Sequence, residues 1–491
     1  MAVNMEKKPH VLVFPFPAQG HMISLLDLTH ALASHGLSVT VLTTPRNQSL
    51  LSPLLQRASS EGLRIQPLII PLPPTEGLPL GCENMAQLPY HLIPLFMDSF
   101  KELAHPIEDW FQQQKQSSDY GFGPPVCIIS DLVLGWTQNT AAKLGIPRIV
   151  YHPSGAFAVS VIYSLWKYLP HEEVSSDNDT VHIPEVPHPV SFPKYQISRL
   201  ARAYKRSDPV SEFMRCSMNL NVKSWGTIIN TFYDLEALYI DHVQGVSGRP
   251  VWSVGPLLPP ALFEAKQRRT MIERGKPTSI DDSVCLQWLE SRKEKSVIYI
   301  CFGSQACLSN KQIEEIATGL EASEESFIWV IRDPPSSMPA DEYGVIPQGF
   351  EDRMKRRGLI IRGWAPQLLI LSHPSVGGFL THCGWNSTLE SITLGIPLIT
   401  WPMNADQYIN ALLLVDYLKV GVRLCEGATT VPSRDDLRIA VKRLLGREGE
   451  EMRRIEELRR AAKRAVQEGG SSYKNVEDCV SEIKKLIVQL N

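Results

Sequence analysis

No run of about 20 apolar residues occurs anywhere in the chain, so no segment is expected to cross a bilayer as a helix. The opening residues, "MAVNMEKKPHVLVFPFPAQGH", carry no long apolar stretch of the kind that directs export. An excess of either charge is missing as well. Lys plus Arg (49) nearly cancels Asp plus Glu (52), a formal charge of -3, which leaves no basic field to draw a nucleic-acid backbone or an anionic membrane. Nucleic acid is excluded as a partner on this ground. The nine cysteines include no CxxC pair, which points to reduced thiols more than to a disulfide framework or a zinc site. A G-x-G-x-x-G turn is absent from the strand ends "PFPAQG" and "CFGSQA", which argues against a nicotinamide oxidoreductase. The expected address is the cytoplasm.

What is present is a chain of 491 residues, 43% hydrophobic and 21% charged, enough for two or three domains with large cores. Short β-rich apolar runs alternate with helical patterns in both halves. "HVLVFPFPAQG", "HMISLLDLTHALASHG" and "LSVTVLTT" are answered later by "SVIYICFGS", "KQIEEIATGLEAS" and "FIWVIRD", the grammar of βαβ units on parallel sheets. Between them, the Pro- and Gly-punctuated "GRPVWSVGPLLPPALFEA" reads as an extended linker, placing a boundary near Pro256 and α/β units at 1–255 and 256–470. Ligands of open α/β sheets bind at the carboxyl ends of strands. The tail is helical, broken at Gly469 and Gly470, and its interleaved charges read as a solvated face.

One βαβ unit is rich in chemistry. "GGFLTH" is a strand, "WNSTLESITL" a helix, Gly395 its stop and "IPLITWP" the next strand. Gly384 lets a ligand approach the backbone, and free N–H groups at the helix start suit a diphosphate. His382, Asn386 and Ser387 add side-chain donors, and Glu390, one turn deeper on the face of Ser387, is placed to accept ribose hydroxyls. Capping of an ordinary helix by Ser387 and Glu390 is the plain alternative. Upstream, Trp364 with Ala365 and Pro366 offers a stacking face and backbone groups for a base. Downstream, Asp406 and Gln407 in "NADQ" suit vicinal sugar hydroxyls.

The segment Trp364 to Gln407, "WAPQLLILSHPSVGGFLTHCGWNSTLESITLGIPLITWPMNADQ", resembles over 44 residues the signature box of plant secondary-product UDP-glycosyltransferases, family 1 of the glycosyltransferases. "PFPAQGH", "INTFYDLE", "VGPLL" and "VIYICFGS" follow the order usual in that family. The resemblance implies a GT-B fold, two Rossmann-like α/β domains facing across a cleft, with a final helix, 471–491, returning to the first. It further implies that Trp364 stacks on uracil, Ala365 bonds the base through its backbone, and Gln367 and Glu390 hold the ribose. His382, Asn386 and Ser387 take the diphosphate near Ser304, while Trp385, Asp406 and Gln407 hold the sugar. A Gln at the end of the box favours UDP-glucose; UDP-xylose and UDP-rhamnose stay open, as do a sugar-nucleotide epimerase and a non-catalytic UDP-sugar binder. Flavonoids, hydroxybenzoates or other phenols are the implied acceptors, and a monomer is expected.

The opposite wall carries the base. His21 begins a helix after the first strand, where the dipole is expected to disfavour imidazolium and keep the ring neutral. Asp131, ending the strand of "VCIISDLVLGW", is placed to orient it. The pair would drive a single displacement that inverts the anomeric centre. Ser24 stands where many family members have Pro, which bears on the helix start. The triplet Asp177, Asn178, Asp179 spells the DxD of metal-dependent glycosyltransferases. It lies in a polar, Pro-bounded segment, so no metal and no cofactor are expected. Helix-like Ala156 to Pro170 is either part of an acceptor pocket or an ordinary buried helix, and Ser154 is a candidate for the donor sugar.

Overall fold

The computed structural model describes residues 8–116, 121–263, 274–275, 277–334, 339, 341–446 and 449–490. The first half contributes β1 (His10–Phe14), β2 (Ser38–Thr43), β3 (Ile65–Ile69), β4 (Cys127–Asp131), β5 (Arg148–His152), the hairpin β6 (Thr180–Ile183) with β7 (Val190–Pro193), β8 (Gly226–Ile229) and β9 (Val251–Ser253). The second contributes β10 (Val297–Cys301), β11 (Ser326–Ile331), β12 (Gly358–Arg362), β13 (Val376–Thr381), β14 (Leu398–Thr400) and β15 (Gly421–Arg423). Seven strands form a parallel sheet in the order β3-β2-β1-β4-β5-β8-β9, and six form another in the order β12-β11-β10-β13-β14-β15. Helices cover both faces of each sheet, which is why the central strands are near-continuous apolar runs instead of alternating ones. Val11, Leu12, Val13 and Phe14 of β1 are all buried to 1% exposure or less.

Strand order reverses between β1 and β4 in the first sheet and between β10 and β13 in the second. At such switch points the helices leaving neighbouring strands diverge to opposite faces and open a crevice. Phe14 pairs with Ser130 and Cys301 with Thr381, so the turns carrying His21 and Asp131 leave side by side, as do those carrying Ser304 and His382.

The segment expected to be wholly linker is in part sheet. Val251–Ser253 pairs with β8 as the edge strand β9, because Trp252 is driven into the core beside Gly226, where a Cβ would lie 2.4 Å from its ring. Three residues are too few to show periodicity. Residues 264–265 of that segment lie outside the described residues. The helix Glu450–Val466 packs between the helices Tyr233–Ser247 and Trp385–Leu394. The helix Ser471–Leu490 then lies on the first sheet, its Asp478 accepting a 2.8 Å hydrogen bond from Trp252 Nε1 and its Val476, Val480 and Ile483 buried there. Among the described residues no helix is long and apolar enough to cross a membrane.

Candidate active site

The helix Gln19–Ser34 starts after Ala18, whose extended backbone precedes the first turn without a side-chain cap. Ser24 sits inside it, its hydroxyl turned back to the Gly20 carbonyl at 3.3 Å. This start holds His21 at the end of β1. Its Nδ1 donates to Asp131 Oδ2 at 2.8 Å, while Asp131 Oδ1 accepts from Val133 N–H at 2.9 Å. Asp131 is fully buried, whereas the imidazole keeps 27% side-chain exposure and lines the cleft. With Nδ1 committed, Nε2 is the nitrogen left to receive a proton. The direction of the shift runs against the one expected from the helix dipole. Burial lowers the His21 pKa, but the Asp131 carboxylate, its hydrogen bond and the charge of Asp406 outweigh it, and the pKa is raised. A carboxylate at contact distance exceeds the dipole of one helix end.

Beneath the pair, Arg148 is fully buried and donates to Ser130, Asn221, Ser224 and the Asp131 carbonyl. Those bonds fix the end of β4.

Across the cleft, the helix Trp385–Leu394 begins at Gly384, also without a side-chain cap, so its first N–H groups face the cleft unspent by the protein's own side chains. The His382 ring lies between two glycines. A Cβ at Gly303 or at Gly384 would come within 2.6 Å of it. Burial pushes the His382 pKa down to about 4, so it meets a ligand as a neutral imidazole. Cys383 and Ala405, in the turns after β13 and β14, both adopt positive φ, 65° and 55°.

The remaining expected residues fall around this start. Trp364 is half-buried beside the cleft, its backbone N–H bonded to Ser279 Oγ at 2.8 Å and its carbonyl accepting from Ser279 N–H at 2.7 Å. Ala365 follows it, buried, and Ser304 lines the cleft after β10. Gln367 Nε2 donates to Ser387 Oγ (3.0 Å) and to Glu390 Oε2 (2.6 Å), which makes it a brace for Glu390. Gln407 Oε1 accepts from the N–H groups of Met403 and Asn404, both at 3.0 Å, leaving its NH2 free to donate. Asp406 accepts from Asn410 at 3.1 Å, and the nearby Ser154 hydroxyl of the facing half favours its charged form.

Two residues expected only on the donor side also join the halves. Trp385 Nε1 donates to Asn230 O at 2.6 Å, and Asn386 Nδ2 to Gly20 O at 2.8 Å, so part of the Asn386 donor capacity is spent within the protein. Asp177 and Asp179 are exposed and absent from the cleft, Asp179 accepting backbone bonds from Ser175 and Ser176.

The cleft measures about 1380 Å³, above the roughly 300–1,000 Å³ of a pocket for one small ligand. The first half contributes an apolar part of its lining, with Phe16, Met97, Val161, Leu165, Trp166 and Met218. The helix Ala156–Tyr168 is therefore both a buried helix and a cleft wall. A residue not assigned from sequence sets its start. Glu236, 2% exposed, accepts from the N–H groups of Ala156 and Phe157 (both 2.9 Å) and from Thr231 Oγ1. It belongs to the quoted "INTFYDLE", but its partner lies 80 residues away.

Two doubly wound sheets whose switch points open onto one cleft make this a GT-B fold, the architecture of nucleotide-sugar glycosyltransferases. Residues 8–259 match the family model "Glycosyltransferase, N-terminal domain", and residues 264–458 match "UDP-glucoronosyl and UDP-glucosyl transferase". The UDP-glycosyltransferase 89B2 of Stevia rebaudiana is 43% identical over 96% of this chain and 97% of its own. The flavonol 3-O-glucosyltransferase UGT89B1 of Arabidopsis thaliana is 43% identical over 98% of both. Among solved structures, UGT73P12 of Glycyrrhiza uralensis with glycyrrhetinic acid 3-O-monoglucuronide superposes at a TM-score of 0.82 (33% identity, 98% of this chain and 97% of that one). Arabidopsis thaliana UGT89C1 with UDP-L-rhamnose does so at 0.78 (34% identity, 97% and 100%). The chain belongs to the plant family 1 UDP-glycosyltransferases and is an enzyme of that class.

Proposed function

We propose that the enzyme moves glucose from UDP-glucose to a hydroxyl of a small aromatic acceptor, a flavonoid, hydroxybenzoate or other phenol, giving a β-O-glucoside. The observation that carries this reading is the His21–Asp131 contact on the wall opposite the uncapped Trp385 helix. The acceptor ring enters the apolar part of the cleft and presents its hydroxyl to His21 Nε2. His21 takes the proton as the oxygen attacks the anomeric carbon, and the bond from that carbon to the UDP oxygen breaks. Asp131 orients the ring and stabilises the imidazolium that forms. Charge developing on the diphosphate is met by the helix-start N–H groups, His382, Ser387 and Ser304. With these donors in place, no metal ion is assigned a role.

Trp364 and Ala365 take the base, Glu390 braced by Gln367 takes the ribose, and Trp385, Asp406 and Gln407 take the sugar. The free NH2 of Gln407 suits a hexose hydroxyl. Relatives named as glucosyltransferases support glucose, while the UDP-L-rhamnose complex of UGT89C1 favours rhamnose as the second reading. A panel of phenols incubated with UDP-glucose, UDP-xylose and UDP-rhamnose, with EDTA present, decides by product mass. A hexose gain with UDP-glucose alone supports glucose; product solely from another donor overturns it. Loss of all product on adding EDTA would refute the metal-free reading.

A further inference from the structure

Arg274 crosses the cleft. Its Nε and Nη2 donate to Asp27 Oδ2 at 2.9 and 2.7 Å, its Nη1 donates to Glu390 Oε1, and Nη2 also reaches the Leu257 carbonyl at 3.3 Å. The side chain is 9% exposed and that of Glu390 5%. Asp27 lies on the helix that begins beside His21, and Glu390 on the helix that begins at Trp385. One cation thus links a carboxylate from each wall. Arg274 is the strongest charge offsetting the burial of either carboxylate, and Glu390 without it would be a buried carboxylate held by Gln367 alone among the described side chains that bond it, an arrangement that burial disfavours.

Glu390 has further use for its oxygens. Oε2 accepts from Gln367 and Oε1 from Arg274, yet each carboxylate oxygen offers two lone-pair directions, so acceptor sites remain for two more donors. Gln367 and Arg274 grip the carboxylate from two sides and fix the plane in which those sites point. Burial raises the Glu390 pKa, and Arg274 is the largest influence opposing that rise.

We propose that Arg274 is a positioning residue for the nucleotide donor, aiming the Glu390 carboxylate at the ribose hydroxyls while Asp27 anchors it from the opposite wall. This rests on the reading of Glu390 as the ribose acceptor. The test uses the full chain and calorimetry with UDP and with 2′,3′-dideoxy-UDP, for wild type, Arg274→Ala, Arg274→Lys, Glu390→Gln and the Arg274→Ala/Glu390→Gln double variant. Thermal melts establish that each is folded. Losing an aimed, charge-assisted acceptor is expected to weaken UDP at least about tenfold in Arg274→Ala, and the KM for UDP-glucose rises by more than kcat falls. Arg274→Lys recovers part of the loss. Dideoxy-UDP, having no ribose hydroxyls, binds wild type and Arg274→Ala alike. Arg274→Ala adds little once Glu390→Gln is present, because the two act as one unit. Unchanged UDP affinity in Arg274→Ala overturns the proposal while Glu390→Gln still weakens binding. Tighter UDP binding also overturns it, and marks Arg274 as an occupant that the donor must displace. If Glu390→Gln leaves UDP binding intact, the ribose reading itself fails.

Discussion

Asp131→Asn replaces a carboxylate by an amide of the same size, and the two hydrogen bonds at that site dictate the outcome. Oδ1 accepts from the Val133 N–H, a donor only, and Oδ2 faces His21 Nδ1. An Asn side chain satisfies Val133 only by placing its oxygen there, which turns its NH2 toward His21. Nδ1 must then accept, and the neutral ring carries its proton on Nε2, the wrong tautomer for a base. The lost charge-assisted bond alone is worth about 1.5–3 kcal/mol, or about ten- to 150-fold in rate. The tautomer inversion adds to this, and the same swap in a Ser-His-Asp triad costs about 10⁴ in kcat. A fall of 10³-fold or more is expected, measured as kcat for UDP-glucose and a phenolic acceptor by mass spectrometry. UDP affinity should stay unchanged because the nucleotide partners are on the other wall. The acid limb should move too. In wild type the base must be neutral, so the rate climbs as pH rises through the raised His21 pKa. Without the carboxylate, burial dominates and the limb of the residual rate shifts to lower pH. A kcat within tenfold of wild type would refute the dyad.

Gly303→Ala forces a Cβ to 2.6 Å from the His382 ring at a φ of +72°, so it should lower both Tm and UDP affinity. Gly62→Ala, at φ +67° with nothing within 4 Å, should cost only backbone strain, about 1 kcal/mol of stability. Gln407→His removes the free amide donor and should reorder the preference among UDP-glucose, UDP-galactose and UDP-xylose in competition assays; an unchanged order would remove Gln407 from the sugar site. His152 is fully buried and its pKa is pushed down to about 3 by burial and Arg148. The unfolded chain takes up its proton near 6.5 and the folded one does not, so this residue lowers stability as pH falls from about 6.5 toward 3. His152→Phe should flatten the decline of unfolding free energy between pH 6.5 and 4.5, by up to about 1.4 kcal/mol per pH unit. His21, with a raised pKa, has the opposite sign: its contribution is present below 6.5 and lost as pH rises through its folded value.

Strand–turn–helix units were readable because they are local. "HVLVFPFPAQGH" and "GGFLTHCGWNSTLESITL" contain their own strand, turn and helix, so His21 and His382 could be placed just after strand ends, and Glu390 one helical turn further on, from sequence order alone. Contact between His21 and Asp131, 110 residues apart, depends on the adjacency of β1 and β4, which is a property of the sheet. The family resemblance supplied the fold; periodicity supplied only parallel α/β units. Arg274 was hidden in the charged run "KQRRTMIERGK", where one cation looks like any other and its partners stand 247 and 116 residues away. Glu236 was hidden for the same reason. The raised pKa of His21 is not legible in residue order, because whether the Asp131 carboxylate outweighs the helix dipole depends on their separation in the fold. β9 escaped because its three residues take their strand from Trp252 packing.

The most direct test of two walls with separate duties is His21→Ala, followed for UDP affinity by calorimetry and for transfer by mass spectrometry, with the anomeric configuration of the wild-type product read by NMR. Abolished transfer with UDP affinity retained, and a β-glucoside from wild type, is the result that a His21 base and single displacement require. Retained transfer, an α-linked product, or loss of UDP binding in the variant would contradict it.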